Sequence, residues 1–348
     1  MPPVFTVYNC GTGFNRDRTE ELIGHLGQIT AGMQAKPGNV TPQCKWMICD
    51  GPGSSPKKGA VTDARTPGSG VLAKLRGNLT GYGWEQNVAD TMGIIKFMHA
   101  SSPIVVINMA GWSRGAVTCH MLAHALYSDP VTQNIAVNIF AADPVAGPGN
   151  RADPNKNTLP PNVANYFAVA AENENRSIMK PVDVGQMLST GQAIGQRIKY
   201  ITVPGEHNTS VLKGTPLGKL VWFLAEKFLQ KHGTQLNSTL NLTHTDICEC
   251  YAGMRIYIEE FRKMHGTTGK QLGRKDRKLK NNFGNDFFWV NDHHRTQFMK
   301  AFPLMGPAIT NPNLLANGIP GLQGELQRIQ LTAPWTYTAL MKSGLLTD

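Results

Sequence analysis

Through the first 230 residues, six short runs rich in β-branched and aromatic residues alternate with longer amphipathic runs. The strand-like runs are 4–9, 45–49, 104–109, 135–141, 165–170 and 199–203; the helix-like runs are 18–30, 85–100, 116–127 and 217–231. Parallel strands must be joined by long crossovers, and helices placed in those crossovers cover both faces of the sheet. The order therefore predicts an α/β fold with a mostly parallel central sheet flanked by helices. Turn residues or polar tips follow the strand runs, and in such sheets ligands bind beyond the strand carboxyl ends. Residues 1–231 read as the core, and 232–348 as an accessory region packed on it.

One strand tip carries a chemical pattern. Pro103-Ile104-Val105-Val106-Ile107-Asn108-Met109-Ala110 leads into Gly111-Trp112-Ser113-Arg114-Gly115, and then into Ala116-Val117-Thr118-Cys119-His120-Met121-Leu122. A serine flanked by glycines two positions away, between a strand and a helix, is the pattern of a nucleophile elbow. Gly111 and Gly115 let strand and helix approach around Trp112, and the helix aims its first N–H groups at a developing oxyanion. The five residues alone also suit an ordinary tight turn. Their context makes Ser113 the candidate nucleophile.

A serine hydroxyl needs a base, and the base needs an orienting acid. In folds with this elbow the chain order is Ser, then Asp or Glu, then His. The run 135–141 ends in Ala142-Asp143-Pro144, which places Asp143 at a sheet end, and 199–203 ends in Pro204-Gly205-Glu206-His207. His207 is the candidate base and Asp143 the candidate acid. Glu172 and Glu174, beyond the run 165–170, are the alternative acids. After the first strand comes Asn9-Cys10-Gly11-Thr12-Gly13. It lacks the third glycine of a dinucleotide fingerprint. Gly11 and Thr12 are instead candidate oxyanion donors beside the backbone N–H of Arg114. Asp50-Gly51-Pro52-Gly53-Ser54, after the second strand run, is either the rim of this site or a plain turn.

Together these blocks resemble the hydrolase domain of bacterial type VI secretion lipase effectors (the Tle family), its first family and uncharacterised relatives especially. Asn9-Cys10-Gly11-Thr12-Gly13 is similar to the family's DGTGN block, with Asn9-Cys10 where an acid is usual. GWSRGA looks like its GFSRGA block, and the segment from Ala142 to Gly147 like its DTVG block. AVAAENENR at 168–176 is similar to ALAIDERR, and VPGEHN at 203–208 to FPGVHSD, with Asn208-Thr209 in place of Ser-Asp. The resemblance spans residues 4–213 and implies an α/β-hydrolase fold. It also implies hydrolysis of membrane phospholipid acyl esters by a Ser113-His207-Asp143 triad, without a cofactor. Delivery into a rival or host cell, a secretion-spike partner and an immunity protein are further implications. A thioesterase, deacylase or small-ester hydrolase with the same triad is the alternative. From another class, so is a non-catalytic binding module that keeps the fold.

The 348 residues carry a formal net charge of +10, which favours anionic partners through long-range attraction. Neither a zinc-finger spacing nor an aromatic-basic nucleic-acid signature accompanies it, so an anionic phospholipid surface is favoured over nucleic acid. Residues 262–280 hold eight basic side chains, Arg274, Lys275, Arg277 and Lys278 among them, against the single acid Asp276. With Phe287, Phe288 and Trp289 they form either a peripheral membrane-docking surface or a solvated loop beside buried aromatics.

Six scattered cysteines read mostly as buried free thiols. His244, Cys248 and Cys250, with His293 and His294, match no standard zinc spacing, and no structural metal is expected. The N-terminus lacks a basic-then-apolar signal segment, and no run reaches the length of a membrane span. The expectation is a species soluble in the producing cell and exported without a cleaved signal peptide.

Overall fold

The computed structural model describes residues 3–36, 38–54, 83–147, 150, 153–171, 174, 179–182, 198–203, 205–242, 246 and 250, and the backbone of 278–280 and 286–289. Strands β1 (Val4–Asn9), β2 (Met33–Gln34), β3 (Cys44–Cys49), β4 (Val106–Trp112), β5 (Ala136–Ala142), β6 (Val163–Ala171) and β7 (Ile198–Val203) form one sheet. Its order is β2-β3-β1-β4-β5-β6-β7, and every neighbouring pair is parallel. The helices of this core are α1 (Leu22–Ile29), α2 (Trp84–Ser101), α3 (Arg114–Ser128), the short α4 (Pro154–Asn157) and α5 (Pro216–Lys231). This is an α/β fold with a parallel central sheet flanked by helices.

Both sheet faces are covered, which explains why the central strands read as unbroken apolar runs. Alternate residues go to opposite faces. On β5, Phe140 and Ala142 join a cluster with Tyr8, Leu26, Phe167, Trp222 and Phe228 from the α1 and α5 side. Val137, Ile139 and Ala141 join Val7, Ile107, Val117, Leu122 and Ile95 from the α2 and α3 side. Burying one large apolar side chain contributes about 1.5–3 kcal/mol, so each strand is held firmly in register.

The six strands read from sequence begin and end within three residues of that reading, but two elements of the core escaped it. Strand β2 is too short for its period to be read, and α4 is a single turn capped by the Asp153 carboxylate, which accepts from Asn155 N. Helix α1 is shorter than the run 18–30 because Glu21 caps it, accepting from the N–H groups of Ile23 and Gly24. A Cβ at Gly24 would lie 2.4 Å from the Arg18 carbonyl oxygen, so the chain before the cap crosses the helix closely instead of extending it.

Beyond α5, residues 232–242 stay on the core. The Ala31 N–H donates to the Gln235 carbonyl, and the Thr234 hydroxyl bonds both Thr6 Oγ1 and Asn108 Nδ2 at 2.9 Å. Asn108 and Asn138 extend this polar ladder across β4 and β5 to Asn165 on β6. Leu236, Leu240 and Leu242 pack on the apolar cluster, and Cys250 is buried in it. Strands β8 (Lys278–Lys280) and β9 (Asp286–Trp289) pair antiparallel. The residues Arg274, Lys275, Arg277, His244, Cys248, His293 and His294, and the side chains of Lys278, Phe287, Phe288 and Trp289 lie outside the described residues. No helix among the described residues is long and apolar enough to cross a membrane.

Candidate active site

The strand order reverses between β1 and β4: the chain moves from β1 to β3 on one side, then returns to β4 and continues through β5, β6 and β7 on the other. Such a switch point leaves a crevice at the strand carboxyl ends. Gly11 and Thr12 follow β1 and Ser113 follows β4, so both predicted parts of the nucleophile region flank this crevice.

Ser113 has φ 56° and ψ −122°, a conformation non-glycine residues adopt only when their surroundings impose it. The surroundings are tight. A Cβ at Gly111 would lie 2.5 Å from the Gly115 backbone, and one at Gly115 would lie 2.1 Å from the Asn9 carbonyl oxygen. The Ser113 N–H donates to Ala142 O at 3.0 Å, and the Val145 N–H donates back to Ser113 O at 3.3 Å. The turn is thus bonded on both sides to the loop that carries Asp143.

Three side chains from three strand ends meet here. The Ser113 hydroxyl lies 2.9 Å from His207 Nε2, and His207 Nδ1 lies 2.5 Å from Asp143 Oδ2. With Nδ1–H donating to the carboxylate, Nε2 is left to accept from the serine. All three residues are buried. Asp143 also has left-handed backbone, φ 44°, with its N–H given to Val169 O. Its second oxygen, Oδ1, accepts from Ala171 N at 3.1 Å, which anchors the carboxylate to β6. Glu174 is buried too, but its Oε2 accepts from the backbone N–H of His207 at 3.4 Å, away from the imidazole hydrogen bonds. Glu172 lies outside the described residues.

Trp112 packs the site from below. Its ring lies 5.2 Å from the His207 imidazole and meets the Phe14 ring edge-on at 4.6 Å. A Cβ at Gly11 would fall 2.2 Å from the same indole, so only glycine lets the β1 loop close over it. The Gly13 N–H donates to Pro52 O and the Gly51 N–H to Phe14 O, which binds this loop to the turn after β3. Asp50, on that turn, takes a forked pair of bonds from Arg16 at 3.1 Å. The segment 50–54 is therefore a brace for the β1 loop.

The backbone N–H groups of Gly11, Thr12 and Arg114 make no hydrogen bond to the described residues. The Arg114 side chain adds a feature that pattern reading passed over. It is 4% exposed, its Nη1 donates to Thr12 Oγ1 at 2.9 Å, and its Nε has no partner. Burial lowers its pKa. The signal available in the sequence was a cation at a helix start with no acid three or four residues on, at Val117 or Thr118. Among the described residues, no cluster of metal-ligating side chains occurs.

No protein-family model matches this chain, and no curated protein matches it. Among solved structures it is similar to an uncharacterized protein from Pseudomonas aeruginosa, at 12% identity over 99% of this chain and 67% of that one, with a TM-score of 0.45. It is similar to a lipase-esterase related protein from Clostridium acetobutylicum ATCC 824, at 12% identity over 65% of this chain and 95% of that one, with a TM-score of 0.33. An acetylxylan esterase is similar at 12% identity over 66% of this chain and 99% of that one, with a TM-score of 0.31.

Proposed function

We propose that this protein is a serine carboxylic ester hydrolase whose substrates are the acyl esters of membrane phospholipids. The observation that carries the hydrolase reading is the hydrogen-bonded series from Ser113 Oγ through His207 to Asp143, at 2.9 and 2.5 Å. The phospholipid reading rests on the resemblance to type VI secretion lipase effectors and on the net charge of +10.

In this mechanism Ser113 Oγ attacks the ester carbonyl carbon while His207 Nε2 takes its proton. Asp143 holds the imidazole in the required tautomer and offsets the positive charge it gains. The tetrahedral oxyanion sits at the N–H groups of Arg114 and of the Gly11-Thr12 turn; losing one such donor typically slows a hydrolase by about 100- to 1,000-fold. His207 then protonates the leaving alcohol. A water, deprotonated by His207, attacks the acyl-serine and releases the acid.

A fluorophosphonate probe, located by peptide mass spectrometry, tests the nucleophile. Ser113 should be labelled in folded protein and the Ser113→Ala variant should not be; an unlabelled Ser113 ends the hydrolase reading. Mixed anionic vesicles test the substrate. Release of lysolipid and fatty acid that stops in Ser113→Ala supports a phospholipase, whereas turnover confined to thioesters or small esters replaces that reading. The same resemblance motivates export by a type VI-like route, with a spike partner and an immunity protein. Rescue of a poisoned recipient by a co-produced candidate immunity protein is the corresponding growth test.

A further inference from the structure

A buried arginine at this helix start has no electrostatic reason to be there unless something anionic comes to it. Arg114 is the first residue of α3, and the N-terminal end of a helix already carries partial positive charge. A guanidinium stays protonated, offers five N–H donors and is costly to bury without a carboxylate or phosphate. Arg114 is 4% exposed, yet the group its side chain bonds among the described residues is one neutral hydroxyl, Thr12 Oγ1, and its Nε is without a partner. Two other buried charges show the contrast. Asp50 has Arg16, and Lys156 has Asp153 at 3.1 Å.

The position of the guanidinium matters as much as its charge. It reaches Thr12 in the loop after β1, and a Cβ at Gly147, in the loop after Asp143, would lie 2.6 Å from Nη2 and 3.1 Å from Nε. Gly147 has φ 78°, and its lack of a side chain lets the backbone after Asp143 pack directly beside the guanidinium without supplying it a carboxylate. The group therefore sits between the two loops that border Ser113, on the side of the candidate oxyanion amides. Forked donors of this kind match the oxygens of a phosphate or a carboxylate.

We propose that the Arg114 side chain is a specificity determinant that binds an oxyanion group, phosphate or carboxylate, carried by the ester substrate next to its scissile bond. This rests on Ser113 being the nucleophile. Its consequence is a preference for anionic over neutral esters, set by a side chain whose backbone N–H serves the chemistry.

The test compares kcat/KM for three substrates: p-nitrophenyl butyrate, a p-nitrophenyl hemiester of a short dicarboxylic acid, and a soluble short-chain phosphatidylglycerol. In Arg114→Gln the ratio of anionic to neutral kcat/KM should fall at least about 10-fold, chiefly through KM, because a charge-assisted hydrogen-bond pair is lost. Arg114→Lys should recover part of it. A fall confined to the phosphatidylglycerol identifies a phosphate-bearing substrate, and one confined to the hemiester a carboxylate-bearing one. An unchanged ratio for both overturns the proposal, since a purely structural arginine lowers all three rates together. Calorimetric titration of inorganic phosphate into full-length Ser113→Ala protein needs no turnover. Binding of phosphate, or of acetate titrated in the same way, weakened at least about 10-fold by adding Arg114→Gln supports the assignment; binding of both that is equal in the two proteins, or absent, overturns it. Absence of any ester turnover in the wild type would count against the Ser113 reading instead.

Discussion

The backbone N–H of Ser113 donates to the carbonyl of Ala142 at 3.0 Å, tying the turn at the end of β4 to the last residue of β5. Asp143 follows Ala142 directly, so the strain at Ser113 and the placement of the acid are parts of one local arrangement. Both residues have positive φ, 56° and 44°. The register of β4 against β5, Trp112 opposite Ala142, makes the arrangement possible.

Relieving that strain should separate stability from activity. Residues held in such conformations cost about 1–3 kcal/mol each. Ser113→Gly and Ser113→Ala should both lose ester hydrolysis and probe labelling. Urea denaturation should nevertheless find Ser113→Gly more stable than Ser113→Ala by roughly 1 kcal/mol. The opposite order would mean that the turn is relaxed.

The two nearby carboxylates should behave differently. Asp143→Asn leaves His207 in the wrong tautomer and should reduce kcat by about 10,000-fold. Glu174→Gln keeps an amide oxygen for the His207 N–H and should reduce kcat by less than about 10-fold. Steady-state kinetics on one soluble ester decides, and a reversed ranking would make Glu174 the acid.

Glycine substitutions should split by position. Gly115→Ala would press a methyl to within 2.1 Å of the Asn9 carbonyl and should destabilise the protein by about 3 kcal/mol. Gly93, in α2, has open space around its missing Cβ. Gly93→Ala should stabilise by about 0.5–1 kcal/mol by raising helix propensity. Denaturant midpoints of the two variants measure both effects.

Stability should respond to pH through two buried groups of opposite sign. His120 on α3 lies between Lys156 O and Tyr166 Oη, at 2.9 and 3.0 Å, and burial pushes its pKa from 6.5 down to about 4. Its contribution is full above pH 6.5 and is lost as pH falls towards 4, because the unfolded chain takes the proton first. Glu21 is pushed by burial from 4.5 up to about 8, against the N–H bonds from Ile23 and Gly24. Its contribution is full below 4.5 and is lost as pH rises through 8. Relative to wild type, His120→Gln should therefore gain stability between pH 7 and 5, and Glu21→Gln between pH 5 and 8. Each slope is at most about 1.4 kcal/mol per pH unit. Chemical denaturation across this range checks both signs.

Much of the sheet was legible from local chemistry. Runs such as Ile135–Ala142 are apolar on both faces because both faces are covered, and the breaks between them hold the residues that turns require. The GWSRG turn was legible for the same reason: Gly111 and Gly115 are needed where backbones nearly touch. Sequence order alone also put Ser113, Asp143 and His207 at strand ends. It could not say which acid faces the imidazole, since Asp143 and Glu174 both follow strands. That choice belongs to the pairing of β5 with β6, which brings Asp143 Oδ2 to His207 and leaves Glu174 on its backbone. Nor could it show that Arg114 is buried beside Thr12 and Gly147, residues 102 and 33 positions away in the chain. Local pattern specifies conformation along the chain, because propensity and periodicity are short-range. Which charges lose their water, and which partners they then keep, is decided only when distant strand ends close on one another.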